Sequence, residues 1–183
     1  MPKLKQNKRK ALDKLLTSIG ALIVIFLVVV GSLAWWAYSF TSNNVKSELA
    51  SQKIYFPPKG SQALSSPEIG PYLDKYAGQQ LLTGPEAKAY ANHFIAVHLS
   101  EVANGQTYSQ VSQEALANPS NQVLKAEAQT LFQGETLRGL LLGDAYAFWT
   151  VGHIAQVAAI ACFIAAGVML VLVLLGLWHL STF

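Results

Sequence analysis

Apolar positions fall into two long runs, Leu15–Phe40 and Ala145–Phe183, separated by a stretch in which apolar residues recur at helical spacing. The first run contains "IGALIVIFLVVVGSLA" and closes with Trp35, Trp36, Tyr38 and Phe40. About 20 helical residues cross a bilayer's hydrocarbon, and amphipathic aromatics collect at the headgroup level, so the pattern predicts a span with one belt marked. A cleaved signal peptide is the competing account, because "SLA" before Trp35 has small-residue cleavage character. The long apolar core and the second run that follows favour an uncleaved anchor. That second run is too long to lie wholly in hydrocarbon. Its most apolar part, Val157–Trp178, spans about 33 Å as a helix. Trp178 and His179 then mark the inner interface, while Tyr146, Phe148 and Trp149 lie at or beyond the outer one.

The middle of the chain predicts short helices. "TGPEAKAYANHFIAVHLSEVANG" offers a cap at Thr83 or Gly84, Pro85 in the first turn, Glu86 at the positive end and Gly105 past the last turn. Tyr90, Phe94, Val97 and Val102 approximate its buried stripe. "TYSQVSQEALANP" opens with Thr107 and Gln110 at capping-box spacing and stops at Asn118-Pro119. A third helix is expected from near Ser120, passing Leu124, Ala128, Leu131 and Leu142 toward the second run. Ahead of these, "IYFPPKGSQALSSPEIGP" reads as a connector. The expected class is an all-α membrane protein, two transmembrane helices flanking a small helical extracytoplasmic domain. Its parts are a basic cytoplasmic tail (1–14), a first span (15–40), a helix start and connector (41–82), the helical domain (83–145) and a long helix (146–183) with its membrane core at 157–178.

Charge adds the orientation. The chain is 52% apolar and 13% charged. Residues 1–14 carry six basic groups against Asp13, a balance of +5, and residues 41–145 carry seven basic and nine acidic groups, a balance of −2. The basic block abuts an apolar run without interleaved aromatics, which argues against nucleic acid and for a cytoplasmic N-terminus in contact with anionic lipid. Both termini are then expected in the cytoplasm of a plasma-membrane protein. Cys162, the single cysteine, excludes an intrachain disulfide framework and a thiolate metal cluster.

Candidate chemistry gathers where the second run begins. In "LFQGETLRGLLLGDAYAFWTVGHIAQ", a uniform 100° per residue places Glu135, Arg138, Leu142, Tyr146, Trp149, His153 and Gln156 on one side. The opposite side carries Asp144, Ala155, Ala158, Ala159, Cys162, Ala165, Ala166 and Met169. Small residues let helices approach closely in lipid, so Ala155, Ala159, Cys162 and Ala166 form the expected contact surface, against the first span or a second copy. Asp144 lies alone among them. Glu135 and Arg138 have ion-pair spacing and suggest a domain–helix or subunit contact, and His153 is an interfacial anchor or helix–helix donor. His93 and His98 cannot share a helical face, but His98 and Glu101 meet at i,i+3 and could begin a hydrated metal site if another helix supplied a carboxylate such as Glu127 or Glu135. No phosphate-binding glycine loop, nucleophile elbow, C-x-x-C or haem-attachment motif is present.

The stretches "IYFPPKGSQALSSPEIGPYLDKYAGQQLLTGPEAKAYANHFIAVHL" and "LFQGETLRGLLLGDAYAFW" resemble a family of two-span actinobacterial membrane proteins, over nearly the whole chain. The resemblance implies an anchor, an "FPPKGSPAL"-like connector and an "LFxGETLRGLLL" segment, with no assigned reaction. A ring-opening dioxygenase label that travels with such sequences implies nonhaem iron on two histidines and a carboxylate, a set these histidines do not assemble. The expected function is a scaffold, accessory subunit or envelope factor acting through helix packing, with no predicted cofactor. Its expected partners are the bilayer and a homo-oligomer or larger membrane complex. A metal or haem redox protein using His98, Glu101 or His153 is the second class, and an oligomeric channel or transporter subunit the third.

Overall fold

The computed structural model describes the backbone of residues 2–182 and the side chains of residues 8–182. Every regular element among them is helical: α1 (Pro2–Gln52), α2 (Gly70–Leu73), α3 (Gly84–Ala89), α4 (Ala96–Val102), α5 (Tyr108–Ala117), α6 (Gln122–Leu140) and α7 (Ala147–Ser181). Single 3₁₀ turns occupy Gln62–Leu64 and Asp74–Tyr76. Two π-helical turns, Tyr90–Ile95 and Leu141–Tyr146, join α3 to α4 and α6 to α7. Two helices, Lys8–Gln52 and the continuous Gln122–Ser181, are long and apolar enough to cross a membrane. The chain divides into two packed units, one formed by the residues up to Phe40 with those from Gly152 on, the other by Thr41–Val151.

The first unit is an antiparallel pair built on small residues. A Cβ placed on Gly20 would meet Val173 at 2.8 Å, one on Gly31 would meet Phe163 at 2.9 Å and Cys162 at 3.2 Å, and one on Gly176 would meet Thr17 at 2.8 Å. Partner numbers fall as α1 numbers rise. Along α1 the less exposed positions step by threes and fours through Gly20, Val24, Leu27, Gly31, Ala34 and Tyr38, and along α7 Gly152, Ala159, Ala166 and Val173 recur every seventh residue. This is the 3.5-residue spacing of a helix–helix seam, with glycine and alanine allowing the backbones to close up. The outward faces stay apolar and exposed, among them Leu22, Phe26, Leu33, Trp36, Ile154, Ile164 and Leu174.

The second unit has an ordinary buried core of Leu49, Phe56, Leu73, Leu81, Ala87, Ala91, Val111, Leu131 and Leu141. α1 supplies Val45 and Leu49 to it, then ends where Lys53 takes the left-handed conformation (φ 55°). The connector is more ordered than its composition suggests. Phe56 N–H bonds Gln79 O at 2.9 Å, Leu81 N–H bonds Ile54 O at 2.9 Å, and Gln80 Nε2 donates to Ala50 O at 3.0 Å, pinning both ends of the loop. Thr83 and Glu86 complete the capping box of α3, as Thr107 and Gln110 do for α5. α6 is capped by Asn121, whose Oδ1 accepts from Val123 and Leu124 N–H.

The stripe expected on Tyr90, Phe94, Val97 and Val102 is displaced. Those residues are half-buried, and the buried row is Ala87, Ala91, Ile95, Leu99 and Ala103. Steps of four drift about 40° in a straight α-helix. The wider π turn holds more residues per turn and keeps the row facing the core.

Candidate functional site: a groove at the second π turn

The helix leaving the domain passes through Gly139 and Gly143 without breaking, but at Leu141–Tyr146 it widens into a π turn. One extra residue in a turn offsets the faces on either side by about 100°. The uniform phase that put Asp144 on the small-residue surface therefore does not hold across this turn. Asp144 is exposed, while Ala145, one residue on, is buried.

The π turn forms one wall of a groove of about 550 Å³. The C-terminal end of α1 forms the other, contributing Asn44, Val45, Glu48, Leu49 and Gln52. Facing them are Leu140, Leu141, Gly143, Asp144, Ala145, Phe148 and Val151. Its volume falls in the range of small-ligand sites. Most of the lining is aliphatic or aromatic, and the polar exceptions are two amides and two carboxylates. Among the described residues neither Glu48 nor Asp144 has an ion-pair or side-chain hydrogen-bond partner. Gly143 is open on this side: a Cβ there would meet nothing within 4 Å.

On another face of the π turn, α3 packs closely. A Cβ on Gly84 would come within 2.5 Å of Trp149 Cβ and Cγ. Lys88 Nζ donates to the Tyr146 hydroxyl at 3.1 Å and lies 4.6 Å from that ring's centroid. The hydrogen bond and the charge of Lys88 hold the Tyr146 phenol below the ordinary tyrosine range. Burial pushes the Tyr90 phenol in the opposite direction.

The remaining sequence candidates are dispersed. Glu135 Oε2 and Arg138 Nη1 pair at 3.3 Å on the surface of α6, where such a contact contributes only a few tenths of a kcal/mol. Arg138 Nε is buried without a hydrogen-bond partner. Ala159 and Ala166 are buried in the α1–α7 seam, Cys162 faces Gly31, Ala155 is half-buried, and His153 is exposed on α7. His98 and Glu101 do share a shallow pocket, with Gln62, Ser65 and Ser66. The His98 Nδ1 is engaged with Phe94 O at 2.7 Å, and His93 is stacked on Tyr72 with centroids 3.6 Å apart. Among the described residues no three His, Cys, Asp or Glu side chains gather closely enough to hold a metal ion.

No protein-family model, curated protein or solved structure matches the chain. Asp144 was legible in the sequence as an isolated charge. Asn44, Glu48, Gln52 and Gly143 were not, because a helix start expected after residue 41 does not say that this helix faces a π turn nearly a hundred residues later. The only available signal was the three-and-four spacing from Gly20 to Leu49.

Proposed function

We propose that the chain is an integral membrane protein of the cell envelope, a scaffold or accessory subunit whose helical domain lies outside the cytoplasm with both termini inside. One observation carries this reading. In the most apolar windows of the two long helices only 11% and 17% of residues are buried inside the protein, so their outer faces need an apolar solvent. In lipid the seam of glycine and alanine is the expected way for two helices to associate. The basic block before α1 favours the stated orientation by the positive-inside tendency.

The dispersed polar groups support a binding or packing role rather than catalysis. Glu135 pairs with Arg138 along one helix, and Lys88 joins α3 to the second π turn through Tyr146, so the two pairs do not converge on a point. Orientation is tested with Ser65→Cys in the connector and Cys162→Ser removing the native thiol. A membrane-impermeant maleimide should label intact cells. Labelling that appears only after lysis would invert the topology, and recovery of the chain in the soluble fraction would overturn the membrane reading itself.

A further inference from the structure

The groove at the π turn sets two carboxylates about one turn beyond an apolar end, an arrangement that the proposed scaffold role does not account for. Each wall can be read outward from the end that continues into an apolar run. α1 presents Asn44 and Val45, then Glu48 and Leu49, then Gln52; the facing helix presents Val151 and Phe148, then Ala145 and Asp144, then Leu140. The end nearest the apolar runs in sequence is thus apolar with one amide, and both carboxylates lie about one turn farther out. Phe148 and Val151 remain exposed there, at 38% and 60%.

We propose that this groove holds one molecule of an amine-bearing membrane lipid. The proposal rests on the membrane-spanning reading above. Its primary ammonium sits between Glu48 and Asp144 and donates charge-assisted hydrogen bonds to both carboxylates, which both line the groove and have no partner among the described residues. The Asn44 amide, one turn nearer the apolar run, donates to a phosphate oxygen across the two-carbon linker of an ethanolamine headgroup. Phe148 and Val151 line the beginning of the acyl chains. A helical peptide with a single basic residue would satisfy the charges, but it would not need the apolar-to-charged order along the groove. An anionic headgroup is disfavoured by the two carboxylates. The π turn belongs to this arrangement because Asp144 lies exposed on it, and Gly143 within it, having no side chain, leaves open the space the headgroup occupies.

The test uses the full-length chain in bilayer nanodiscs containing phosphatidylethanolamine, phosphatidylcholine and phosphatidylglycerol in equal amounts, with retained lipid counted by native mass spectrometry. The expected result is one retained phosphatidylethanolamine per chain, favoured about tenfold over the other two, since the choline headgroup has the charge without the N–H donors. Glu48→Gln with Asp144→Asn should bring the three lipids to parity. Gly143→Phe should abolish retention, because its ring enters the groove where a Cβ meets no neighbour. Unchanged helix content and melting of these variants shows that they fold. Equal retention of the three lipids by the unmodified chain, a preference that survives both sets of substitutions, or capture of a lysine-bearing apolar peptide with no lipid preference would each overturn the proposal. Failure of the chain to enter nanodiscs at all would overturn the spanning reading beneath it and is seen separately, as protein in the lipid-free fraction.

Discussion

Single residues show how little space the helical domain leaves. The Gly84 backbone lies against the part of Trp149 nearest its own backbone, which cannot swing aside. Gly134 differs: a Cβ there would meet the terminal methyl groups of Leu99, which can rotate away. Gly84→Ala should therefore lower stability by about 1–3 kcal/mol, the usual cost of overpacking, while Gly134→Ala costs less. Denaturant melts of both variants in the same detergent check the order; equal losses would contradict the close approach. The tyrosines predict the alkaline behaviour. Tyr90 is half-buried, and desolvation raises its folded-state pKa above the ordinary value of 10.0. Its contribution is complete below that value and is lost as pH rises toward the folded-state value, because the unfolded chain ionises first. Tyr90→Phe should flatten this part of the stability–pH curve above pH 10, measured by thermal melting; an unchanged slope would remove Tyr90 as the cause. Tyr146 is shifted the other way, and its pairing with Lys88 favours the ionised form only at alkaline pH.

Among the elements, the α1–α7 seam is the sharpest construction. Its small residues were visible in the sequence as Ala155, Ala159, Cys162 and Ala166, with the partner left open between the first span and a second copy. Within the described residues α1 of the same chain fills that face, with Gly31 opposite Cys162. A Cβ on Gly31 lies 3.2 Å from the Cys162 Cβ, slightly inside disulfide range, so a small backbone adjustment permits a bond. Gly31→Cys should form an intrachain disulfide with Cys162 under mild oxidation, seen as a faster-migrating monomer on non-reducing gels. A disulfide-linked dimer in its place would assign the seam to two copies. The capping box at Thr107 was equally legible, as was a cap at Thr83 or Gly84, because a cap is made within four consecutive residues; that Thr83 and Glu86 also close a capping box is what the structure adds. The π turns were not. Gly143 marks a weak point in "LLGDAY" but does not specify a π turn, "YANHFI" carries no such mark, and an i→i+5 turn is selected by what the flanking helices must face.

For the molecule as a whole, the division into units follows two kinds of packing. Residues 41–151 enclose large side chains such as Phe56, Leu73 and Leu81, as a water-surrounded domain does. The paired long helices enclose mainly glycine and alanine and turn Leu, Ile, Phe and Trp outward, the reverse arrangement. The Ser65→Cys labelling experiment belongs to this scale, because orientation is a property of charge distribution along the entire chain, not of any site. Sequence alone determined the helical class, the two apolar helices, the small-residue face of the second and the capped helix starts, since each depends on residues within a few turns of one another. Tertiary structure alone decided that the connector is pinned back to the end of α1, that the core row runs through alanines, and that Glu48 and Asp144 line a single groove. Those outcomes depend on where separate helices meet and on a wider turn that lets one helix serve two faces, and neither is written in local spacing.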